Sequence, residues 1–429
     1  MSAELISILV LVVVFVIATT RSINMGALAF AAAFGVGELV ADLDADKIFA
    51  GFPGDLFVVL VGVTYLFAIA RSNGTTDWLV HASIRLVRGR VVLIPWVMFV
   101  LTGALTAIGA VSPAAVAIVA PIALSFAARY AISPLLMGAM VVHGAQGGGF
   151  SPISIYGTIV NGIVERENLP GSEITLFLAS LVVNIVIAGV VFVLFGGLKL
   201  AKADARAGGP GTAEGRGDPG DAHATDAAAA RLTPARIATL AALVALVVAV
   251  LAFDLDAGLT SITLAVLLAA CWPEDSRNAV SQIAWSTVLL ICGVLTYVGV
   301  LDQMGTIGWA GEGVSDIGVP LLSAVLLCYI GALVSAFASS VGIMGALIPL
   351  AVPFLAQGEI GAVGMVAALA VSATVVDVSP FSTNGALVLA AAPGVDRERF
   401  FRQLMVYGGI VVAVVPAVVW LALVVPDWG

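Results

Sequence analysis

The 429-residue chain is 61% hydrophobic and only 10% charged, with a formal net charge of −9 and a mean hydropathy of +1.13. An average soluble domain is about a quarter charged, so this composition cannot cover a water-exposed surface; a soluble enzyme, a nucleic-acid-binding protein and a wholly disordered chain are excluded. Long apolar runs recur from end to end, which predicts an all-α polytopic membrane protein.

Crossing about 30 Å of hydrocarbon takes about 20 helical residues. Spans are predicted near residues 4–20, 25–41, 55–70, 135–163, 174–197, 236–253, 258–272, 284–301, 360–392 and 403–425. The first has no basic residue before it and no small-residue cleavage site after it, so it reads as a span and not as a cleaved signal. Two apolar stretches, 91–127 and 319–354, are too long for one helix and are broken at Gly109-Ala110-Val111-Ser112-Pro113 and Ala338-Ser339-Ser340-Val341-Gly342. Residues 201–235 are rich in Gly, Ala, Asp and Pro without apolar periodicity and read as a flexible linker. Cys271, Cys292 and Cys328 lie in or beside apolar segments, and their spacing predicts buried, inert thiols.

Basic residues set the expected orientation. With the N-terminus outside and both broken stretches returning to the side they entered, every Lys and Arg except Lys47 and Arg166 falls on one side. That side is the cytoplasm by the positive-inside rule, which puts the linker inside and both termini outside a cell membrane.

The chain also matches itself, without a gap, at an offset of 228 residues. Gly103-Ala104-Leu105 falls on Gly331-Ala332-Leu333, Ser112 on Ser340 and Pro121 on Pro349. Ser151-Pro152-Ile153-Ser154 falls on Ser379-Pro380-Phe381-Ser382, and Gly157 on Gly385. The expected organisation is a first repeat over 1–200, a cytoplasmic linker over 201–235 and a second repeat over 236–429. Each repeat has five spanning helices, a re-entrant hairpin (91–127, 319–354) and an interrupted helix (135–163, 360–392). An odd number of spans inverts the second repeat, the recurring plan of secondary transporters with a site at the midplane. Basic residues 74–90 and their acidic counterpart 302–318 are expected to lie in opposite interfaces.

Irregular backbone at membrane depth is tolerated only where protein or a wet cavity satisfies it. Four such places are predicted: the two hairpin tips and the interruptions at 147–152 and 377–385. Helix halves starting there point free N–H groups inward and hold anions, while unwound carbonyls and hydroxyls hold sodium. The candidate substrate contacts are Ser112, Pro113, Ser154, Ser339, Ser340, Ser382, Thr383 and Asn384. The candidate cation contacts are Ser112, Gly149, Ser151, Ser340, Asp377 and Ser379. Asp377 is the one acidic residue expected deep in the second interruption, where a carboxylate is costly and usually functional. His143 and Gln146 are weaker candidates, the former expected to be satisfied within the bundle. No organic cofactor is expected, and no metal beyond sodium.

These residues resemble the ion-transporter superfamily that includes the divalent-anion:sodium symporters. The N-terminal third is more closely similar to MatC-type malonate and dicarboxylate carriers. It carries that likeness at Ile23-Asn24-Met25-Gly26-Ala27-Leu28-Ala29-Phe30, at Asp46 to Phe57 and at Gly62 to Arg71. Gly157-Thr158-Ile159-Val160-Asn161 is similar to the symporters' Gly-Thr-Pro-Pro-Asn. The resemblance implies a homodimer whose hairpins and interrupted helices move as an elevator.

The function expected is secondary active transport of a small carboxylate, malonate or a C4-dicarboxylate, coupled to sodium or protons. The partners are that carboxylate and the bilayer, with no nucleic acid. The alternatives are a sodium/proton antiporter on the same scaffold and the membrane subunit of a binding-protein-dependent system. An enzyme is not expected, because no metalloprotease motif, paired intramembrane aspartates or Ser-His pair is present.

Overall fold

The computed structural model describes residues 2–21, 23–85, 90–206, 232–253, 255–307, 309, 319–336, 340–355, 358, 360–392 and 394–426. It is all-helical, with no strand among the described residues. In chain order the first half contains α1 (Ala3–Arg21), α2 (Met25–Leu39), α3 (Ala45–Ala50), α4 (Gly54–Ser72), α5 (Thr75–Arg85), α6 (Ile94–Ala107), α7 (Ser112–Arg129), α8 (Pro134–Gly148), α9 (Ile155–Arg166), α10 (Glu173–Leu194) and α11 (Gly197–Arg206). The second half contains α12 (Pro234–Phe253), α13 (Ala257–Cys271), α14 (Trp285–Gln303), α15 (Pro320–Ser335), α16 (Ser340–Leu355), α17 (Ala362–Val375), α18 (Thr383–Ala391) and α19 (Arg397–Leu423). Among the described residues, five helical stretches are long and apolar enough to cross a membrane: Gly54–Ser72, Ser112–Arg129, Glu173–Leu194, Pro273–Gln303 and Arg397–Leu423. The chain is therefore a multi-pass membrane protein.

Its outer faces suit a lipid solvent. Val12 and Val16 on α1, Val182 and Val186 on α10, and Val414 and Val418 on α19 are all exposed, whereas a water-soluble protein would place polar side chains there. Short polar residues start the helices at the edges. Asn24 accepts from the Gly26 and Ala27 amides at 2.9 and 3.2 Å, and Asp256 accepts from the Leu259 amide at 2.6 Å. These caps satisfy amides that have no partner inside their own helix.

The core is built around two helices that are buried on every side. All of Leu135–Gly148 in α8 is buried, as is α17 apart from Val363. Around α8 pack α6, α7 and α10; around α17 pack α15, α16 and α19. Elsewhere α2 packs on α14 and α4 on α13, while α7 packs on α18 and α16 on α9. Every one of these contacts has its counterpart 228 residues away, with the partners exchanged between halves.

Several crossings are possible only without a side chain. A Cβ on Gly148 would lie 1.9 Å from the Gly103 carbonyl oxygen, and one on Gly293 would lie 2.0 Å from that of Gly26. Lipid tails give helices no hydrophobic reason to associate, so such close packing is what holds them together.

Three expectations are corrected or bounded. Cys271 is exposed, because it is the last residue of α13 and not part of its packed face; Cys292 and Cys328 are buried as expected. The linker starts later than its composition suggests, since α11 runs helical to Arg206. The interfacial stretch 74–90 is helical over Thr75–Arg85, while most of 302–318 lies outside the described residues.

The packing makes a direct test available. Gly148→Ala should cost about 1–3 kcal/mol through overpacking, read as a lower melting temperature in detergent. Gly189→Ala, with nothing within 4 Å of the added carbon, should cause no loss.

Candidate functional site

The two interrupted helices are built by the same bonds at the same offset. α8 ends at Gly148 and α9 begins at Ile155; α17 ends at Val375 and α18 begins at Thr383. In the first break the Ser154 hydroxyl is directed at the carbonyls of Gly149 (2.5 Å) and Ser151 (2.7 Å) and accepts from the Gly157 amide at 3.2 Å. In the second, the Ser382 hydroxyl faces the carbonyls of Asp377 (2.5 Å) and Ser379 (2.8 Å) and accepts from the Gly385 amide at 3.3 Å. A Cβ on Gly157 or Gly385 would sit 2.0 Å from the oxygen of Ser151 or Ser379, so only glycine lets the chain fold back this tightly.

Ser151 adds a tie, its hydroxyl donating to the Ala107 carbonyl at the end of α6. The hydroxyl of Ser379 accepts from the Phe381 amide at 3.3 Å. Ser151, Ser154, Ser379 and Ser382 therefore serve the backbone of the breaks. Gly149 caps α8 and is buried beneath Tyr156, whose ring would lie 3.0 Å from an added Cβ.

The other expected residues converge. Asp377 is buried, and its Oδ1 accepts from Ser340 Oγ at 2.6 Å. Its Oδ2 accepts from Gln146 Nε2 at 2.9 Å and from Asn384 Nδ2 at 3.5 Å. Asn384 Nδ2 also donates to Ser112 Oγ at 2.9 Å, and Ser335 donates to Ser340 at 2.8 Å. The cluster thus joins the first residues of α7 and α16 to the last turn of α8 and to the second break. The described partners of this carboxylate are neutral, and Asn384 Oδ1, fully buried, has no hydrogen-bond partner.

A cavity of about 770 Å³ opens onto this cluster. Pro113, Ser340, Asp377 and Thr383 line it, with Val111 and Ala114 at the start of α7 and Val341 at the start of α16. Val111, which precedes α7, makes no side-chain cap, so the positive end of that helix faces the cavity unscreened. Ser112 and Asn384 stand behind Asp377 as hydrogen-bond support. Ser339 lies outside the described residues.

The cavity has a defined mouth. Asn24, Arg71, Gln282 and Ser286 line it at the C-terminal end of α4. That end is tied to the segment that follows the linker, since Arg236 Nε donates to the Asn73 carbonyl at 3.0 Å and Asn73 Nδ2 to Thr239 Oγ1 at 2.7 Å. The cavity does not reach the opposite end of α4, where a separate recess of about 310 Å³ is lined by Gly51, Arg166 and Gly299. Arg166 pairs with Asp55 at 3.0 Å, Gln303 Nε2 donates to the Lys47 carbonyl at 2.9 Å, and a Cβ on Gly299 would lie 2.8 Å from Gly51 Cα.

Beyond the residues expected from the sequence, Tyr156 and Arg71 line the cavity, and Gln146 donates to Asp377. Gln146 carried a signal in being a lone amide in a wholly buried helix. Tyr156 carried one in its offset, since it stands where the second half has Asn384. His143 behaves as expected: its ring nitrogens lie 2.9 Å from Asn184 Oδ1 and 2.6 Å from the Tyr407 hydroxyl, away from the cavity. Glu38 is exposed, and Asn184 bridges helices.

The serines separate into two groups with different expected phenotypes. Ser154→Ala and Ser382→Ala should each lower stability by about 1 kcal/mol, as lost caps do, visible as a lower melting temperature. Ser112→Ala and Ser340→Ala should leave the melting temperature close to the parent's and weaken ligand or cation titrations. The opposite pattern would place the ligand contacts at the breaks.

Residues 1–149 match the family model described as the dicarboxylate carrier protein MatC N-terminus. No curated protein matches the chain. The match covers about a third of the sequence and ends at Gly149, the first residue of the first break. The likeness is to the N-terminal region of those carriers.

Proposed function

We propose that this protein is a secondary active transporter that carries a small dicarboxylate, malonate or a C4-dicarboxylate, together with sodium ions or protons. The observation that carries this reading is a buried carboxylate, Asp377, held by neutral groups where a large cavity meets the N-termini of α7 and α16. Those helix ends supply partial positive charge for a substrate anion without any Lys or Arg at that depth.

The same arrangement supplies a reason for coupling. A carboxylate substrate in the cavity meets Asp377 as a like charge. Two unit charges about 4 Å apart repel by about 4 kcal/mol at an effective dielectric constant of about 20. A sodium ion or proton on Asp377 removes that repulsion, so substrate and cation favour each other's binding. The orphaned Asn384 Oδ1 offers an additional neutral oxygen to a cation. Co-transport follows from this logic; exchange of cations without carboxylate uptake would instead support an antiporter on the same scaffold.

Bonds that recur at an offset of 228 support two repeats of inverted orientation, with 91–127 and 319–354 as re-entrant hairpins. With the linker cytoplasmic, the mouth beside Arg71 and Arg236 opens inward and the Arg166–Asp55 end faces outward. Movement of the hairpins and interrupted helices against α1–α4 and α12–α14 would expose the same cavity on the other side.

Uptake of labelled malonate and succinate into proteoliposomes of the purified protein, under separate sodium and proton gradients, tests the function. Uptake driven by one gradient is expected; its absence with every combination would overturn the reading. Asp377→Asn should raise the sodium concentration for half-maximal uptake if sodium is the partner, or flatten the pH dependence if a proton is. An active variant with both dependences unaltered would leave Asp377 a structural role only.

Orientation has its own test. In a background with the three native cysteines replaced, a cysteine placed between residues 207 and 231 should react with a membrane-impermeant maleimide only after the cell membrane is opened. Labelling in intact cells would reverse the topology.

A further inference from the structure

We infer that Arg71 is the recruiting residue for the substrate anion, a cationic station at the cavity mouth that loads the deeper site. This rests on the carboxylate reading above. Among the described lining residues Arg71 is the only Lys or Arg, and Asp377 is the only acid. The two stand at different depths. Arg71 is in the last turn of α4, a helix of 19 residues and thus about 28 Å long, so it lies at the membrane surface. Asp377 follows α17, whose 14 residues span about 21 Å, so it lies well inside.

The charge of Arg71 is available. Its Nη2 donates to the side-chain oxygen of Gln282 at 2.8 Å, a neutral partner that orients the guanidinium without cancelling it. No described carboxylate pairs with it, whereas Arg166 at the far end of α4 is paired with Asp55. The offset of 228 sharpens the contrast, since the counterpart of Arg71 is Gly299, packed against Gly51. The internal symmetry therefore does not repeat this cation at the far end of α4. A positive group in a cleft with low-dielectric walls concentrates anions and speeds their entry, and a guanidinium presents two parallel donors to a carboxylate.

Kinetics of dicarboxylate uptake in proteoliposomes, measured at several ionic strengths, test the inference. Arg71→Gln should raise KM by about tenfold, leave kcat within about twofold, and remove the salt dependence of kcat/KM. Arg71→Lys should restore most of the salt dependence, because the charge and not the fork governs recruitment at a distance. A purely structural role for the Arg71–Gln282 bond would lower kcat or the melting temperature and leave the salt dependence in place. A parent with uptake whose Arg71→Gln variant keeps the parental KM and salt dependence overturns the inference alone. A parent without dicarboxylate uptake overturns the proposed function and the inference together.

Discussion

A carboxylate at membrane depth with only neutral partners constrains everything around it. Asp377 receives hydrogen bonds from Ser340, Gln146 and Asn384, and these reduce the cost of its charge without cancelling it. Each donor comes from a different element: α16, α8 and α18. Holding them on one carboxylate requires α8 and α17 to lie in the centre of the bundle and both helices to break at the same depth. The cavity, the two helix N-termini and the inward-pointing hydroxyls follow from that convergence.

Breaking a helix inside a membrane frees amides and carbonyls that lipid cannot satisfy. The chain solves this twice with one device. A serine six residues after the helix end in the first copy and seven in the second collects two orphaned carbonyls, and a glycine three residues later brings its amide back over the break. What differs between the copies is what the device holds. In the first, Gly149 leaves room for the Tyr156 ring; in the second, Asp377 faces Asn384. Symmetry supplies the scaffold, and a pair of substitutions within it makes the site asymmetric.

A similar division separates the two ends of the molecule. α4 carries Arg71 at one end and Asp55 at the other. The first stands beside open space and a neutral amide, while the second is paired with Arg166. Small residues let the helices approach at the far end, Gly51 against Gly299, where a larger residue on either side would hold them apart. Access to the cavity is thus set by where the helices can touch.

Much of this was legible in the residues themselves. Hydropathy fixed the membrane class and the approximate spans, because about 20 apolar residues in a row have few other fates. Ser-Pro-x-Ser at a constant offset marked both breaks, because capping chemistry is local and leaves a local signature. Asp377 was conspicuous as an acid among apolar residues. The sequence could not say which serines were already committed. Ser154 and Ser382 have the same chemistry as Ser112 and Ser340, and only the backbone path turns the first pair onto nearby carbonyls and the second pair toward the carboxylate cluster. It could not join Gln146 to Asp377, 231 residues apart, nor put Arg71 at a cavity mouth, nor show that the last residue of α13 leaves Cys271 exposed. Local composition determined the elements and their breaks; long-range packing decided which side chains meet, because a contact between distant segments depends on the whole chain's path and not on its neighbours.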